Sequence, residues 1–576
     1  MATAAASSSS SLRKRTGRSS AAVSFQLPEK EKPDTVVPLG SSGQISFGGA
    51  FVALMIARYF SATSNLIHDC DEVFNYWEPL HYLLYKSGFQ TWEYSSQYAL
   101  RSYLYLLLHA LLVGPAAWWY GSGAGKVGVF YSLRFALGAL SALTEAALVE
   151  SISRRFGRRV AAYTLVLLCF TSGCFNASTS FLPSTFSMYG ITLASALLLA
   201  DELVAAVAVA AFGVLVGWPF SVLATAPLVV YALFFGKFWK VFLAGAITSI
   251  CTILMSLLVD HYFYGQWKFS ILNLVIYNVA GGGDSSLYGV EGFFFYLKNA
   301  LLNFNFAIVF ALMLPVMMLL SRRSSDKQLF CAISPIYLWL LFMSLQPHKE
   351  ERFIYPVYPL ICLASAAAIE RIPDLVSKVS RAYDPESLLL KLSKLVRPLA
   401  MALILVLSYS RTTSLLQGYS APMHVYRQLS SLENTSSTGS TVCIGSEWHR
   451  FPSSFFLPSS SYKVSWVDDG FRGLLPFPFN STAGGTRVAP AYFNNQNQAS
   501  SGQFLTEEEN CSLLVELALK RSGQAFRGEN ATTWEAVAER SFLDNQKSPP
   551  LYRAFFIPWL WENKNTFGVY RLSRKR

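Results

Sequence analysis

Two short segments far apart in the chain carry residue types that can do chemistry together. The first reads His68-Asp69-Cys70-Asp71-Glu72-Val73-Phe74-Asn75-Tyr76-Trp77-Glu78-Pro79-Leu80-His81-Tyr82. It places four carboxylates within ten residues, among aromatics and directly after an apolar stretch. A carboxylate at the edge of a low-dielectric region has its pKa raised and can take a proton from a hydroxyl, while flat aromatic faces suit sugar rings. A solvated, acidic loop start is the plainer alternative. The second segment, Gln346-Pro347-His348-Lys349-Glu350-Glu351-Arg352-Phe353, is wedged between two apolar stretches. Its three potential cations make a compact phosphate site, with Arg352 gripping oxygens bidentately and Lys349 acting as a point charge. Glu350 and Glu351 would orient those cations or neutralise them, and a charged loop boundary is again the bland reading. A third segment, Asp260-His261-Tyr262-Phe263-Tyr264-Gly265-Gln266-Trp267, runs through Asn273, Tyr277 and Asn278 to Gly281-Gly282-Gly283. Its aromatic and Asn positions offer sugar contacts, but no Gly-Lys-Ser/Thr phosphate loop is present, so no nucleotide site is expected. A flexible loop is the simpler reading of its glycines.

The elements that must hold these segments are membrane helices. Of 576 residues, 52% are hydrophobic and 14% charged, with mean hydropathy +0.33, whereas a soluble domain is about 25% charged. Too few charges are available to coat several globules, and the class that fits is a polytopic membrane protein. Disorder, collagen and a secreted disulfide scaffold are excluded for most of the length. The net charge of +12 does not form one patch; basic residues lie between apolar stretches, which marks cytoplasmic loops and not a nucleic-acid surface. Eight cysteines show no zinc-like spacing and no CxxC, so no metal or redox cofactor is expected.

About eleven transmembrane helices are predicted, at 47–67, 127–151, 160–174, 184–200, 203–216, 219–235, 238–259, 293–320, 328–345, 353–369 and 398–415. A twelfth apolar stretch, Tyr103–Tyr120, is ambiguous. Residues 1–43, Ser/Ala-rich with Arg13-Lys14-Arg15, read as a disordered cytoplasmic tail. If that tail is cytoplasmic, the first helix carries 68–97 to the far side; the cluster Arg154-Arg155-Phe156-Gly157-Arg158-Arg159 should be cytoplasmic by its positive charge, and this requires an odd number of crossings between 68–97 and the cluster, so one and not two. Tyr103–Tyr120 is therefore predicted to be a juxtamembrane or re-entrant helix. The same count keeps Gly236–Lys240, Ser321–Lys327 and Arg371–Arg397 on the cytoplasmic side. It sends 68–126, 260–292 and 346–353 to the far side of a membrane domain spanning 44–415. Residues 416–576 follow them as a small far-side domain, with a strand-like run at Tyr462–Val467 and a helix-like run at Leu505–Lys520. Asn-x-Ser/Thr acceptors at Asn176, Asn434, Asn480, Asn510 and Asn530 all fall on that side, as candidates for glycosylation.

In this order among these helices, the segments resemble family 22 of the glycosyltransferases, which has the multi-helix GT-C architecture. The residues that carry the likeness are Asp71 through Tyr82, Tyr98-Ala99-Leu100-Arg101-Ser102-Tyr103, Tyr264-Gly265, Tyr277-Asn278, Leu301-Leu302-Asn303-Phe304-Asn305 and His348-Lys349-Glu350-Glu351-Arg352-Phe353-Ile354-Tyr355-Pro356. The His-Lys-Glu-Glu-Arg-Phe run is highly specific for the family, and Phe-Asn-Tyr-Trp-Glu-Pro-Leu-His points to its α-1,2 branch over the α-1,6 and glycosylphosphatidylinositol branches. The chain departs from the family at Gly292, where proline is expected.

The resemblance implies an endoplasmic-reticulum mannosyltransferase with a lumenal active site, moving mannose from dolichyl phosphate mannose, with inversion, onto lipid-linked oligosaccharides carrying six and eight mannoses. Its partners would be that donor, the acceptor and membrane lipid. Asp71 would be the base, with Glu72 as the alternative or its orienting partner, and His348, Lys349 and Arg352 would hold the donor phosphate. Trp77, Glu78, His81, Arg101, Tyr264, Asn278, Glu350 and Glu351 would support the site or touch sugar. No metal is required by such chemistry. A multi-helix transporter is the competing class; it should show internal repeats, and none is visible.

Overall fold

The structure, a computed structural model, describes residues 43–280, 285–323, 325–380, 388–429, 432, 440–482, 484–500, 502–505, 510–519 and 526–576. The amino-terminal tail, Gly281–Gly283 and Asn434 lie outside them. Residues 44–576 form one compact unit: a helical bundle with a small sheet at one end.

Five helical stretches are long and apolar enough to cross a membrane, namely Lys126–Phe156, Phe238–Tyr264, Asp326–Leu345, Glu351–Val379 and Lys391–Tyr419. The chain is therefore a multi-pass membrane protein. The Glu351–Val379 stretch is the centre of the bundle, with 89% of its apolar window buried, whereas Phe238–Tyr264 (17%) and Lys391–Tyr419 (22%) turn most of their apolar surface outward, as lipid-facing helices do.

The other six expected spans are bent or shorter helices among the described residues. The 293–320 segment is two helices, Phe295–Phe304 and Phe306–Ser321, bent by 112°. The break falls at Asn305, whose backbone is left-handed (φ +43). Its Oδ1 accepts from Phe306 N (2.8 Å) and its Nδ2 donates to Ser408 Oγ (3.0 Å), so the groups freed by the break find partners. The other five expected spans fold as helices of 18, 13, 17, 10 and 14 residues: Phe47–Ser64, Arg158–Phe170, Pro183–Leu199, Leu203–Phe212 and Val222–Phe235. Inside this bundle Arg58 Nη2 donates to both oxygens of Glu145 (2.8 and 2.7 Å), a buried pair joining two helices.

The two ends of the bundle differ chemically. At one end the basic loops interlock, through Arg159–Glu370 (3.3 Å), Arg397–Glu370 (2.9 Å) and Arg371–Asp326 (2.5 Å). Arg159, Asp326, Arg371 and Arg397, one or more from each basic loop, thus share one end. The helix Lys126–Phe156, 31 residues and about 45 Å long, runs from there to the sheet, where Lys126 Nζ donates to Ser454 O (3.2 Å).

The Tyr103–Tyr120 helix begins and ends at this second end. Its first N–H donates to Asp260 near the close of Phe238–Tyr264 (2.8 Å), and the loop after Tyr120 leads straight into Lys126. Both its ends therefore lie at one end of the bundle, the placement expected of a juxtamembrane or re-entrant helix.

The sheet has five strands in the order β3-β2-β5-β7-β6. These are β2 (Thr441–Ile444), β3 (Lys463–Trp466), β5 (Leu513–Ala518), β6 (Trp534–Leu543) and β7 (Phe567–Lys575). β2 runs parallel to β3 and β5, and β7 antiparallel to β5 and β6. The helix expected over 505–520 is instead β5, whose Leu513, Leu514 and Val515 are buried on both faces between β2 and β7. Cys443 and Cys511 form a disulfide at the start of this pairing. A two-stranded ribbon, β1 (Phe89–Gln90) with β4 (Phe477–Pro478), ties the first loop to the sheet region.

Candidate active site

The two segments that carry the chemistry meet. Arg352 Nη2 donates to Asp71 Oδ2 at 2.5 Å across 281 residues of sequence, and Arg352 Nε lies 2.8 Å from Asp69 Oδ2. The same guanidinium bonds Glu350, whose other oxygen takes His348 Nε2 at 2.8 Å. Asp69, Glu350 and Asp71 thus surround the one guanidinium. Burial would push the Glu350 carboxyl up; Arg352 and His348 instead hold it well below the usual carboxylate range. Asp69, withdrawn from water, is pushed up in spite of Arg352. Lys349 is buried and its ammonium donates to the carbonyls of Glu291 (2.8 Å) and Gln346, closing the loop against 289–292. His348 Nδ1 lies 3.0 Å from Gly289 O on the same loop.

Asp71 and Glu72 are adjacent in sequence and unlike in setting. The Asp71 side chain is 39% exposed beside Arg352. Glu72 is buried, and its Oε1 accepts from Trp77 Nε1 (3.0 Å) and Phe181 N (2.9 Å). The division arises because Cys70–Glu72 is a single helical turn started by Asp69, whose Oδ1 accepts from Asp71 N (2.8 Å). It continues into a five-residue π-helix, Val73–Trp77, and the wide turn brings the Trp77 indole back over Glu72.

The residues expected to support the site or touch sugar divide accordingly. Trp77, Glu78 and His81 are buried, so they support. Glu78 accepts from Ser453 Oγ (2.9 Å), Ser454 N (2.6 Å), Ser454 Oγ (2.8 Å) and Phe89 N (2.9 Å), clasping the first loop to the sheet region. Gly88 follows from this packing: a Cβ there would lie 2.6 Å from the Glu78 carbonyl oxygen, and its φ is +144°. Burial and the nearby Lys126 push His81 down to about 3. Its Nδ1 donates to Ser87 O (2.5 Å), so Nε2 faces Lys126 Nζ (3.3 Å) as an acceptor.

Arg101 is gripped bidentately by Glu93 (2.9 and 3.0 Å) and donates to Tyr76 OH (2.8 Å). Tyr264 OH donates to Arg101 O (2.6 Å). Glu351 points away from Arg352, accepting from Asn299 (3.0 Å) and Asn303 (2.8 Å) at the bent helix pair. Asn278 is exposed and donates to Leu274 O of its own helix (2.9 Å).

The roles of Asp69 and Glu93 as ion-pair partners, of Asp260 as the cap of Tyr103–Tyr120, and of Ser453 and Ser454 emerge only in the structure. Only Asp69 and Glu93 left a local signal, as acids close in sequence to Asp71 and Arg101. Of the glycosylation candidates, Asn480, Asn510 and Asn530 are exposed. Asn176 is buried within the bundle, its carbonyl accepting from Asn65 (2.8 Å) and Ser180 (2.9 Å), and offers no accessible acceptor.

Asp69, Cys70 and Asp71 bring potential ligand atoms within 4.8 Å of one another. The cation against their carboxylates is the chain's own Arg352. Beside Arg101 and Tyr76 opens a small recess of about 40 Å³, walled by Tyr105, Leu215, Trp218 and Ile271. An ionisable hydroxyl acceptor and a guanidinium clamp next to an apolar recess suit group transfer from a lipid-borne, anionic leaving group.

Fold and site together define a helical membrane enzyme of the glycosyltransferase class. The sequence profile of the Alg9-like mannosyltransferase family matches residues 49–458. The chain is 55% identical over 525 residues to alpha-1,2-mannosyltransferase ALG9 of Arabidopsis thaliana, covering 91% of each. It is 36% identical over 546 residues to the human protein of that name, covering 92% of this chain and 88% of that one. With the Schizosaccharomyces pombe protein alg9 it shares 36% over 564 residues, covering 92% and 95%. The chain belongs to the Alg9-like mannosyltransferase family, glycosyltransferase family 22. The solved structure of ArnT from Cupriavidus metallidurans bound to undecaprenyl phosphate overlaps 76% of this chain and 88% of its own at 15% identity and TM-score 0.49, too low to bear on function.

Proposed function

We propose that this chain is the endoplasmic-reticulum enzyme that transfers mannose from dolichyl phosphate mannose in α-1,2 linkage, with inversion, onto the lipid-linked oligosaccharide precursor of asparagine-linked glycans, at the six- and eight-mannose stages. The observation that carries this reading is the Asp71–Arg352 contact, which joins a proton acceptor and an anion clamp into one site. The site end faces the lumen and the end with the interlocked basic loops faces the cytoplasm. The amino-terminal tail is cytoplasmic in this topology.

In the transfer, the 2-hydroxyl of the acceptor mannose attacks the anomeric carbon as the bond to phosphate oxygen breaks. Asp71 takes the hydroxyl proton, and Arg352 with His348 and Lys349 stabilises the charge gathering on the departing dolichyl phosphate. Arg352 is shared by Asp71, Asp69 and Glu350 before substrate arrives, so phosphate binding draws it from Asp71 and leaves that carboxylate available as the base. Glu72 is the scaffold of this loop and not the base. No metal ion is proposed, because Arg352 supplies the positive charge and dolichyl phosphate is a weakly basic leaving group.

The test is purified protein with dolichyl phosphate mannose, or separately GDP-mannose, and a lipid-linked six-mannose acceptor, followed by linkage analysis. One α-1,2-linked mannose from the dolichyl donor alone is expected. Transfer from GDP-mannose, or an α-1,6 product, would overturn the reading.

A further inference from the structure

The sheet is fastened to the bundle a second time, on the outside of the helix Leu388–Tyr419. Phe556 N donates to Ser410 O (3.0 Å) and Ser410 Oγ to Phe556 O (2.8 Å). One turn further on, Ser414 Oγ donates to Arg553 O (2.9 Å) and accepts from Trp561 Nε1 (2.9 Å). Between these bonds the chain swings outward as Ile557-Pro558-Trp559-Leu560. Trp559 has a left-handed backbone (φ +61) and leaves its indole 89% exposed, and Leu560 and Leu551 beside it are exposed as well. The turn is closed on itself, with Trp561 N donating to Ile557 O (2.9 Å) and Asn563 Nδ2 to Trp559 O (2.7 Å). The outward indole is therefore a built feature of the fold.

Its depth follows from the helix it is tied to. The apolar stretch Lys391–Tyr419 has 29 residues, about 43 Å at 1.5 Å each, against a hydrocarbon core of about 30 Å. Centred on the bilayer, it projects about 6 Å beyond the core at each end. Ser410 lies nine residues before Tyr419, about 13 Å from that end and so inside the hydrocarbon edge. Tyr409 and Val406, next to it, are exposed on the lipid-facing side. The turn Ile557–Leu560 continues that apolar surface up to the headgroup boundary, where Trp is favoured because one edge of its ring is apolar and the other donates a hydrogen bond. Glu562 and Lys564 follow it immediately and are exposed, charged groups of the kind the headgroup layer solvates.

We propose that Pro558-Trp559-Leu560 is a membrane-interface anchor, inserted into the phospholipid leaflet on the side of the active site. It sets the height of the sheet over the bilayer and, through the Ser453–Ser454 clasp on Glu78, the height of the loop that carries Asp71.

The test places photoreactive benzoylphenylalanine at position 559 of the full-length protein in phosphatidylcholine nanodiscs. Irradiation and mass spectrometry then score phospholipid adducts, with Tyr409 as the lipid-facing position and Arg472, exposed on the sheet domain, as the aqueous one. Adducts at 559 matching those at 409 and absent at 472 are expected. No phospholipid adduct at 559 while 409 gives one, or an adduct to protein alone, overturns the proposal. In the same nanodiscs Trp559→Asp should speed proteolysis of the sheet region and Trp559→Phe should not; equal rates for the two would also overturn it.

Discussion

Asp71→Asn and Glu72→Gln, two changes of one atom each at neighbouring positions, should separate chemistry from scaffold. The Asp71 carboxylate is 39% exposed and pairs with Arg352, which keeps Asp69 and Glu350 when that pair is lost. A partly exposed ion pair contributes about 0–1 kcal/mol, so Asp71→Asn should leave thermal stability within about 1 kcal/mol of the parent. An amide cannot accept the hydroxyl proton, so turnover should fall by about 10²–10⁴. Glu72→Gln behaves in the opposite way. Both donors to Glu72 bond its Oε1, which the amide oxygen can replace at a cost of about 1 kcal/mol per bond for the lost charge. Stability should then drop by about 2 kcal/mol, with turnover changed by less than about tenfold, since tenfold corresponds to 1.4 kcal/mol at the reacting centre. The assay is turnover at saturating donor and acceptor together with thermal unfolding in the same detergent. Near-normal turnover in Asp71→Asn, or its abolition in an equally stable Glu72→Gln, would move the base to Glu72 and refute the reasoning from burial.

Arg352→Ala should raise the KM for the dolichyl donor more than that for the acceptor; equal effects would remove Arg352 from the phosphate site. Glu78→Ala leaves two buried backbone N–H groups, of Ser454 and Phe89, without their acceptor, at about 1–3 kcal/mol each; a thermal midpoint equal to the parent's would contradict the clasp. The hydrogen bond to Glu350 raises the pKa of His348, so its positive charge persists to a higher pH than a free histidine's. Donor affinity should be full below that raised pKa and weaken as pH rises through it, and His348→Gln should flatten this part of the KM profile. Cys443 and Cys511 close a loop of 68 residues, which is about 4 kcal/mol in the chain-entropy account; Cys443→Ser should destabilise the protein to protease digestion at the sheet, and unchanged protection would show that the sheet holds without the link.

Composition and charge spacing determined a good part of this protein without coordinates. Too few charges for a soluble surface meant membrane helices, and the placing of Arg154–Arg159, Ser321–Lys327 and Arg371–Arg397 fixed which loops share an end. Parity also gave a reading of Tyr103–Tyr120, whose hydropathy alone left it ambiguous. These properties are legible because they are sums over many residues or depend on local spacing. The tertiary structure decided what depends on who faces whom. Asp71 and Glu72 are indistinguishable as letters; only the π-helix that folds Trp77 over Glu72 makes one a buried anchor and leaves the other at Arg352. Glu78 and His81 could support the site or touch sugar as far as the sequence tells; burial against the sheet region, nearly 380 residues later at Ser454, makes them supports. The bend at Asn305 needs Ser408 across the bundle to receive its side chain, and the strand Leu513–Ala518 needs β2 and β7 on either side of it. A hydrogen bond to a distant element overrides local preference because a buried polar group without a partner costs more than any helix or loop propensity returns.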